Sequence, residues 1–220
     1  MFDAILFDND GVLVDTEGLY FRANREVLAG IGVELDQAAY VELFLREGLG
    51  AWHLAEARGH SAEAIDLLRA ARYRRYVELV DESPILIAGV AELVPRLAAR
   101  YRLAIVTSSE PGPFGRTHAR TGLLPHFELV LTRVDYQRSK PDPEPYLCAV
   151  ARLGLPAARC LVIEDSERGL RAAKAAGLCC WVVPSPLTAG SCFDDADAVL
   201  PDLGAAASRL CRGKPVIPET

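Results

Sequence analysis

The run Ala4-Ile5-Leu6-Phe7 stops abruptly at Asp8-Asn9-Asp10-Gly11, and this change from apolar to acidic constrains the chain more than any other feature. The apolar run is too short for a helix, so it reads as a buried strand that ends in a sharp turn. Short apolar runs return at 103–107, 128–132, 160–164, 179–183 and 198–200. Helical periodicity separates them over 88–100, 115–122, 144–153 and 167–177, with Pro95 either kinking the first of these helices or marking its start. Strands alternating with helices at this spacing predict an α/β architecture, a doubly wound, mostly parallel Rossmann-like sheet. Such sheets gather their chemistry at the carboxyl ends of the strands, where Asp8 and Asp10 stand. One carboxylate there can bind a metal and attack; the other can move a proton. A turn-forming Asp pair that caps the next helix fits the same four letters.

After the first strand the pattern changes. Leu19, Ala23, Val27 and Ile31 recur every four residues, with Asp15 or Thr16 placed to cap the helix and Gly32 to stop it. Further helices are expected over 37–45, 52–58 and 62–80. The chain thus divides into a core of residues 1–15 and 84–220 and an all-helical insertion of residues 16–83. Gly48 and Gly50 interrupt the helical pattern just before Ala51-Trp52 and permit a tight loop. Arg69, Arg72, Arg74 and Arg75 crowd the last helix of the insertion, where a solvated charged face is the simpler reading and a screen for a phosphorylated substrate the other. The tail beyond Cys211, with Gly213, Pro215 and Pro218, reads as irregular.

A chain of 220 residues suits one domain with an insertion. With 24 Lys and Arg against 30 Asp and Glu the net charge is −6, which disfavours nucleic acid and anionic membrane surfaces as partners. The six cysteines form no CxxC pair, and several lie in apolar segments, as reduced core residues of a cytoplasmic protein do. No apolar run approaches the roughly 18 residues of a membrane span, and no leader sequence is evident.

Three more stretches fall at predicted strand ends. Thr107-Ser108-Ser109 brings hydroxyls and backbone N–H groups of the kind that hold a phosphate. Ser139-Lys140-Pro141-Asp142-Pro143 fixes a lone Lys between prolines, where its charge can balance carboxylates and phosphate. Glu164-Asp165-Ser166 ends a buried strand in two carboxylates, which need a cationic partner such as a hard metal ion; helix capping by Asp165 or Ser166 is compatible with that role.

The string FDNDGVLVDTE, residues 7–17, resembles the first motif of the haloacid dehalogenase superfamily, in the phosphatase and β-phosphoglucomutase-like branch that carries a helical cap after the first strand. The other three stretches resemble its second, third and fourth motifs, in order. The resemblance implies an enzyme, a Mg²⁺-dependent phosphatase that hydrolyses a small phosphate monoester, a sugar phosphate or similar metabolite, through an aspartyl-phosphate. Asp8, Asp10 and Lys140 would be catalytic, Thr107, Ser108 and Lys140 would bind phosphate, and Asp8, Asp10, Glu164 and Asp165 would hold Mg²⁺. Thr16, Tyr20, Gly48, Gly50 and Trp52 would be the cap's contribution to substrate binding. Sugar phosphomutases of this branch carry an Arg after the small residues of the cap loop and a His in the first cap helix, where this sequence has Ala51-Trp52 and Tyr20. A phosphomutase is therefore the alternative, and a non-catalytic phosphate-binding module the more distant one. The expected partner is a small phosphorylated metabolite, and the expected state a monomer.

Overall fold

The computed structural model describes residues 1–211, so the tail expected to be irregular lies outside the described residues. Six parallel strands form one sheet: β1 (Ala4–Phe7), β2 (Arg102–Val106), β3 (Leu129–Leu131), β4 (Cys160–Glu164), β5 (Cys179–Val182) and β6 (Ala198–Val199). Their order is β3-β2-β1-β4-β5-β6. Phe7 pairs with Ile105 on one side and Ile163 on the other. The chain therefore leaves β1 between the ends of β2 and β4, at the point where strand order reverses and open α/β sheets form their crevice.

Alternate strand residues serve the two faces. Ile5, Phe7, Leu103, Ile105, Leu161 and Ile163 pack on one side with Val90, Val94 and Leu97 of α5 (Val90–Ala98) and with Leu203, Ala206 and Leu210 of α9 (Leu203–Cys211). Leu6, Ala104, Val106 and Val162 pack on the other with Tyr146 and Ala149 of α7 (Glu144–Leu153) and Leu170 and Ala173 of α8 (Glu167–Ala175). Covered on both faces, the strands read as continuous apolar runs rather than alternating ones.

The core helices depart from expectation in three places. α5 runs through Pro95, which is neither its start nor its end. α6 spans Pro111–His118 rather than 115–122, with Pro111 in its first turn; proline is tolerated there because those N–H groups have no intrahelical acceptor. α9 was not expected. Asp202 caps it by accepting from Ala205 N at 2.7 Å, and its small residues give a weak apolar signal.

Between β1 and α5 lie α1 (Glu17–Ala29), α2 (Gln37–Tyr40), α3 (Trp52–Glu56) and α4 (Ala62–Glu82). α2 continues as a π-helical stretch, Val41–Arg46, just before the loop of Gly48 and Gly50. This insertion has apolar clusters of its own, one around Ala23, Tyr76, Leu79 and Val80, another around Leu28, Leu35 and Tyr40. Its two connections to the sheet run side by side, with Asp15 N donating to the Ile85 carbonyl at 2.8 Å and Ile87 N to the Leu13 carbonyl at 3.2 Å. Among the described residues no helix is long and apolar enough to cross a membrane. Cys160 and Cys180 are buried as expected, whereas Cys192 is exposed.

Candidate active site

Lys140 joins three elements at the carboxyl edge of the sheet. Its ammonium donates to Asp8 Oδ1 at 2.6 Å, to Glu164 Oε1 at 2.7 Å and to the Val106 carbonyl at 2.9 Å. Lys140 is only 4% exposed, so these acceptors replace water around the charge. Burial alone would lower its pKa, but Asp8 and Glu164 outweigh that and raise it, which keeps the amine charged. Glu164, fully buried, also accepts from the Tyr146 hydroxyl at 2.7 Å, Ser166 Oγ at 3.1 Å and Asp165 N at 3.2 Å. Burial pushes its carboxyl up, but Lys140 and those hydroxyls prevail and hold it below the usual range. Asp8 has no such surplus. Desolvation pushes it up to about 7 against the pull of Lys140, with Glu164 and Asp10 adding to the rise.

Asp10 is gripped differently, by neutral donors. Ser109 Oγ donates to its Oδ2 at 2.9 Å and Asn9 Nδ2 at 3.2 Å, while the Thr16 hydroxyl donates to Oδ1. Behind Asn9 stands His118, whose Nε2 lies 2.7 Å from Asn9 Oδ1 and whose Nδ1 lies 3.0 Å from Thr121 Oγ1. Burial lowers the His118 pKa to about 4. The ring is therefore neutral at pH 7, and it donates through Nε2, since an amide oxygen only accepts.

Asp8, Glu164 and Asp165 offer carboxylate oxygens that all lie within 4.8 Å of one another. Burial first, then the charges of Asp8, Glu164 and Glu17, push the Asp165 carboxyl well above its ordinary value. An all-oxygen set without Cys or His suits a hard dication, and so much crowded negative charge calls for one. The residues present fit Mg²⁺. Gly11 makes the approach possible: its φ is +84°, and a Cβ there would stand 2.1 Å from Asp165 Oδ2.

The site opens into a cavity of about 880 Å³, a size that takes a small metabolite. Asp8, Asp10, Glu17 and Asp165 make its lining acidic; the insertion also supplies Tyr20, Trp52 and Arg72, and the core adds Arg133 and Arg168.

A model of the haloacid dehalogenase-like hydrolases matches residues 2–177. The chain belongs to that family. It is 37% identical over 218 residues to Protein CbbY of Rhodobacter capsulatus, covering 94% of this chain and 96% of that one. It is 31% identical over 179 residues to the fructose-1-phosphate phosphatase YqaB of Escherichia coli, covering 79% and 92%. Among solved structures, a mutant CbbY from Rhodobacter sphaeroides in complex with xylulose-(1,5)bisphosphate superposes with a TM-score of 0.77 at 32% identity, covering 92% of this chain and 95% of that one. The expected enzyme class, a phosphoric monoester hydrolase of the haloacid dehalogenase type, stands with these findings.

In this hydrolase the expected residues gather closely. Asp8, Asp10, Thr107, Ser108, Lys140 and Asp165 all line the cavity. Ser108 Oγ is buried there without a hydrogen-bond partner among the described residues. Thr107 Oγ1 accepts from Ser109 N at 3.0 Å and donates to Asp10 Oδ2 at 3.4 Å. Glu164 lies behind the wall, its oxygens taken by donors. Tyr20, Gly48, Gly50 and Trp52 line the cavity, but Thr16, expected beside them, is 1% exposed and sits behind Asp10. It occupies the N-cap position of α1 without capping it.

Three members of the site escaped the sequence reading, Tyr146, His118 and Glu17, while Ser109, read there among the hydroxyls of its stretch, donates to Asp10. Tyr146 was legible as a tyrosine six residues after Lys140, on the helix face it shares with Ala149 and Leu153. Glu17 belongs to the recognised first motif, yet only the fold reveals that it stands half-buried in the cavity wall, with the Tyr40 hydroxyl donating to it and its pKa pushed up by desolvation to about 7.

Gly169 in α8 gives a direct steric test. A Cβ there would stand 1.9 Å from Glu164 Cδ, so Gly169→Ala displaces the carboxylate that anchors Lys140. Overpacking of this kind costs about 1–3 kcal/mol. Thermal melting is expected to fall accordingly, and turnover with it; an unchanged melting temperature would mean that Glu164 is not held as described.

Proposed function

We propose that this hydrolase is a Mg²⁺-dependent phosphatase acting on a small phosphorylated metabolite, a sugar phosphate, through an aspartyl-phosphate. The observation that carries the reading is Asp8. Its partly buried carboxylate has Lys140 as its one side-chain donor among the described residues and faces a metabolite-sized cavity from a strand end. The names of its relatives, a fructose-1-phosphate phosphatase and a CbbY bound to a sugar bisphosphate, support the sugar phosphate class.

In the proposed reaction an Asp8 carboxylate oxygen attacks phosphorus, the ester P–O bond breaks, and Asp10 gives its proton to the departing oxygen. Asp10 then takes a proton from water as that water's oxygen bonds to phosphorus and the Asp8–phosphorus bond breaks. Ser108 Oγ offers a donor to the phosphoryl oxygens, and the charge of Lys140 offsets theirs. Mg²⁺ would be held by Asp8, the Asp10 main-chain carbonyl and Asp165, and when bound supplies positive charge against the spread negative charge of the transferring group. Glu164 holds Lys140 in place and adds its charge beside Asp8 and Asp165. Residues 16–83 act as a cap over the core of residues 1–15 and 84–220, excluding bulk water and sorting leaving groups.

Phosphate release from a panel of phosphorylated sugars, assayed with Mg²⁺ and with chelator, tests this. Release that depends on metal and is confined to a few esters is expected. Isomerisation without net release, requiring a sugar bisphosphate activator, would replace the phosphatase with a mutase.

A further inference from the structure

Two buried polar side chains stand directly behind the Asp10 carboxylate. Asn9, 1% exposed, separates Asp8 from Asp10 in the chain, and His118, 4% exposed, is the last residue of α6. Neither lines the cavity, so neither meets the substrate. Their hydrogen bonds run in one direction. Leu123 N donates to Thr121 Oγ1 at 3.3 Å, the Thr121 hydroxyl gives its proton to His118 Nδ1 at 3.0 Å, His118 Nε2 donates to Asn9 Oδ1 at 2.7 Å, and Asn9 Nδ2 donates to Asp10 Oδ2 at 3.2 Å. The line ends on the carboxylate that moves a proton in the proposed reaction.

The acceptor at the end sets the direction. A carboxylate only accepts, so Asn9 turns its amide N–H to Asp10 and its oxygen to the ring, and the neutral ring keeps Nδ1 for the Thr121 proton. Without the ring's donor the amide oxygen would be buried unpaired, and the last torsion of Asn9, which has only broad preferences of its own, would lose its stop. The pair is itself held still. The Phe114 ring lies 4.5 Å from that of His118, centroid to centroid, and the Asn9 carbonyl accepts from Leu13 N at 2.9 Å and Val14 N at 3.1 Å. At Asp10 the two oxygens are thereby told apart. Oδ2 accepts from Ser109 Oγ at 2.9 Å and Thr107 Oγ1 at 3.4 Å as well as from Asn9, which fills its lone pairs. Oδ1 accepts from the Thr16 hydroxyl alone among the described residues and keeps a lone pair for the proton that moves.

We propose that His118 is a positioning residue for the reaction: through Asn9 it fixes Oδ2 of Asp10, so that Oδ1 delivers its proton to the ester oxygen as the P–O bond breaks. The inference rests on the phosphatase reading, with Asp10 as the acid.

An aryl ester and an alkyl ester separate this role from bracing of the fold. 4-Nitrophenolate departs without a proton, a sugar alkoxide does not, and kcat/KM reports the steps up to that departure. It is measured with Mg²⁺ on 4-nitrophenyl phosphate and on the phosphorylated sugar that reacts fastest, in wild type, Asp10→Asn, His118→Phe, His118→Gln, Asn9→Leu and the double variant of His118→Phe with Asn9→Leu. Proton donation is worth about 10²–10⁴ in rate, so Asp10→Asn should lose that much on the sugar ester and far less on the aryl ester. His118→Phe keeps a ring without a donor; it should lose about 10-fold on the sugar ester, the worth of one buried hydrogen bond, and less than about 2-fold on the aryl ester. His118→Gln, whose amide N–H takes the place of Nε2–H, should recover most of that loss. Asn9→Leu should show the same selectivity, and His118→Phe added to it should change the selectivity no further, because the ring acts through the amide. The ratio between the two esters, read on one sample, does not depend on the fraction folded. Equal losses on both esters in His118→Phe, no recovery in His118→Gln, or a selectivity that grows again in the double variant would overturn the positioning role and leave Asp10 as the acid. Equal losses on both esters in Asp10→Asn would remove that acid and the role with it, and release from neither ester in wild type would overturn the phosphatase reading itself.

Discussion

Asp8→Asn is expected to reduce phosphate release by more than about 10³-fold while leaving the fold intact, because it removes a nucleophile and almost nothing else. The amide has the size and shape of the carboxylate, and its oxygen can still accept from Lys140, which donates to Asp8 Oδ1 at 2.6 Å. What it lacks is the charge that attacks phosphorus. The substitution should even stabilise the metal-free protein at alkaline pH. With the Asp8 pKa pushed up to about 7 by burial, the folded state binds this proton more tightly than the unfolded chain does. The stability tied to the group is then full below its unfolded value and is lost as pH rises through about 7. Asn does not titrate, so metal-free Asp8→Asn should melt above metal-free wild type at pH 8, and Mg²⁺ should narrow the gap by restoring wild type. Circular dichroism and thermal melting check the fold, and phosphate release checks the chemistry. Turnover by pure Asp8→Asn near the wild-type rate would remove Asp8 from the mechanism.

The sheet and the approach of the four motifs were legible because each depends on residues close together in sequence. A strand buried on both faces announces itself as an apolar run, and its end as the first charge after it; Phe7-Asp8 and Ile163-Glu164-Asp165 are such boundaries. What could not be read is which way a polar group turns once the strand ends meet. Thr16 was expected to meet a substrate, yet it is buried and donates to Asp10, while Thr107 lines the cavity with its hydroxyl turned to Asp10 Oδ2 at 3.4 Å. His118 belongs to a helix whose start was misplaced by four residues, and its partner Asn9 lies 109 positions away. Local pattern carries no trace of such a pair. Arg72 shows the opposite limit, since sequence spacing set four arginines on one helix but only packing distinguished the three that meet solvent or carboxylates from the one that faces the cavity.

Lys140→Met should be the most damaging single change for stability and activity together. The side chain keeps its length and apolar stem, so the loss is the ammonium and its three hydrogen bonds. Asp8, Glu164 and Asp165 would then share a buried volume with no cation among them. Removing one partner from a buried ion pair costs about 3–5 kcal/mol, and in a chain of this size each kcal/mol lowers the melting temperature by about 2–4 °C. A fall of roughly 10 °C is thus expected in the metal-free protein, and less with Mg²⁺ present. Activity suffers by a separate route. Lys140 is the group that lowers the Asp8 pKa against burial; without it Asp8 should titrate above about 7 and be protonated, hence unreactive, at neutral pH. Added to the loss of a preorganised charge, itself worth about 10²–10³ in rate, this predicts residual phosphate release whose pH profile is displaced to higher pH. A variant that melts lower but keeps the wild-type pH profile would show that Lys140 braces the carboxylates without tuning Asp8. The displaced profile requires the ammonium to act on the nucleophile itself.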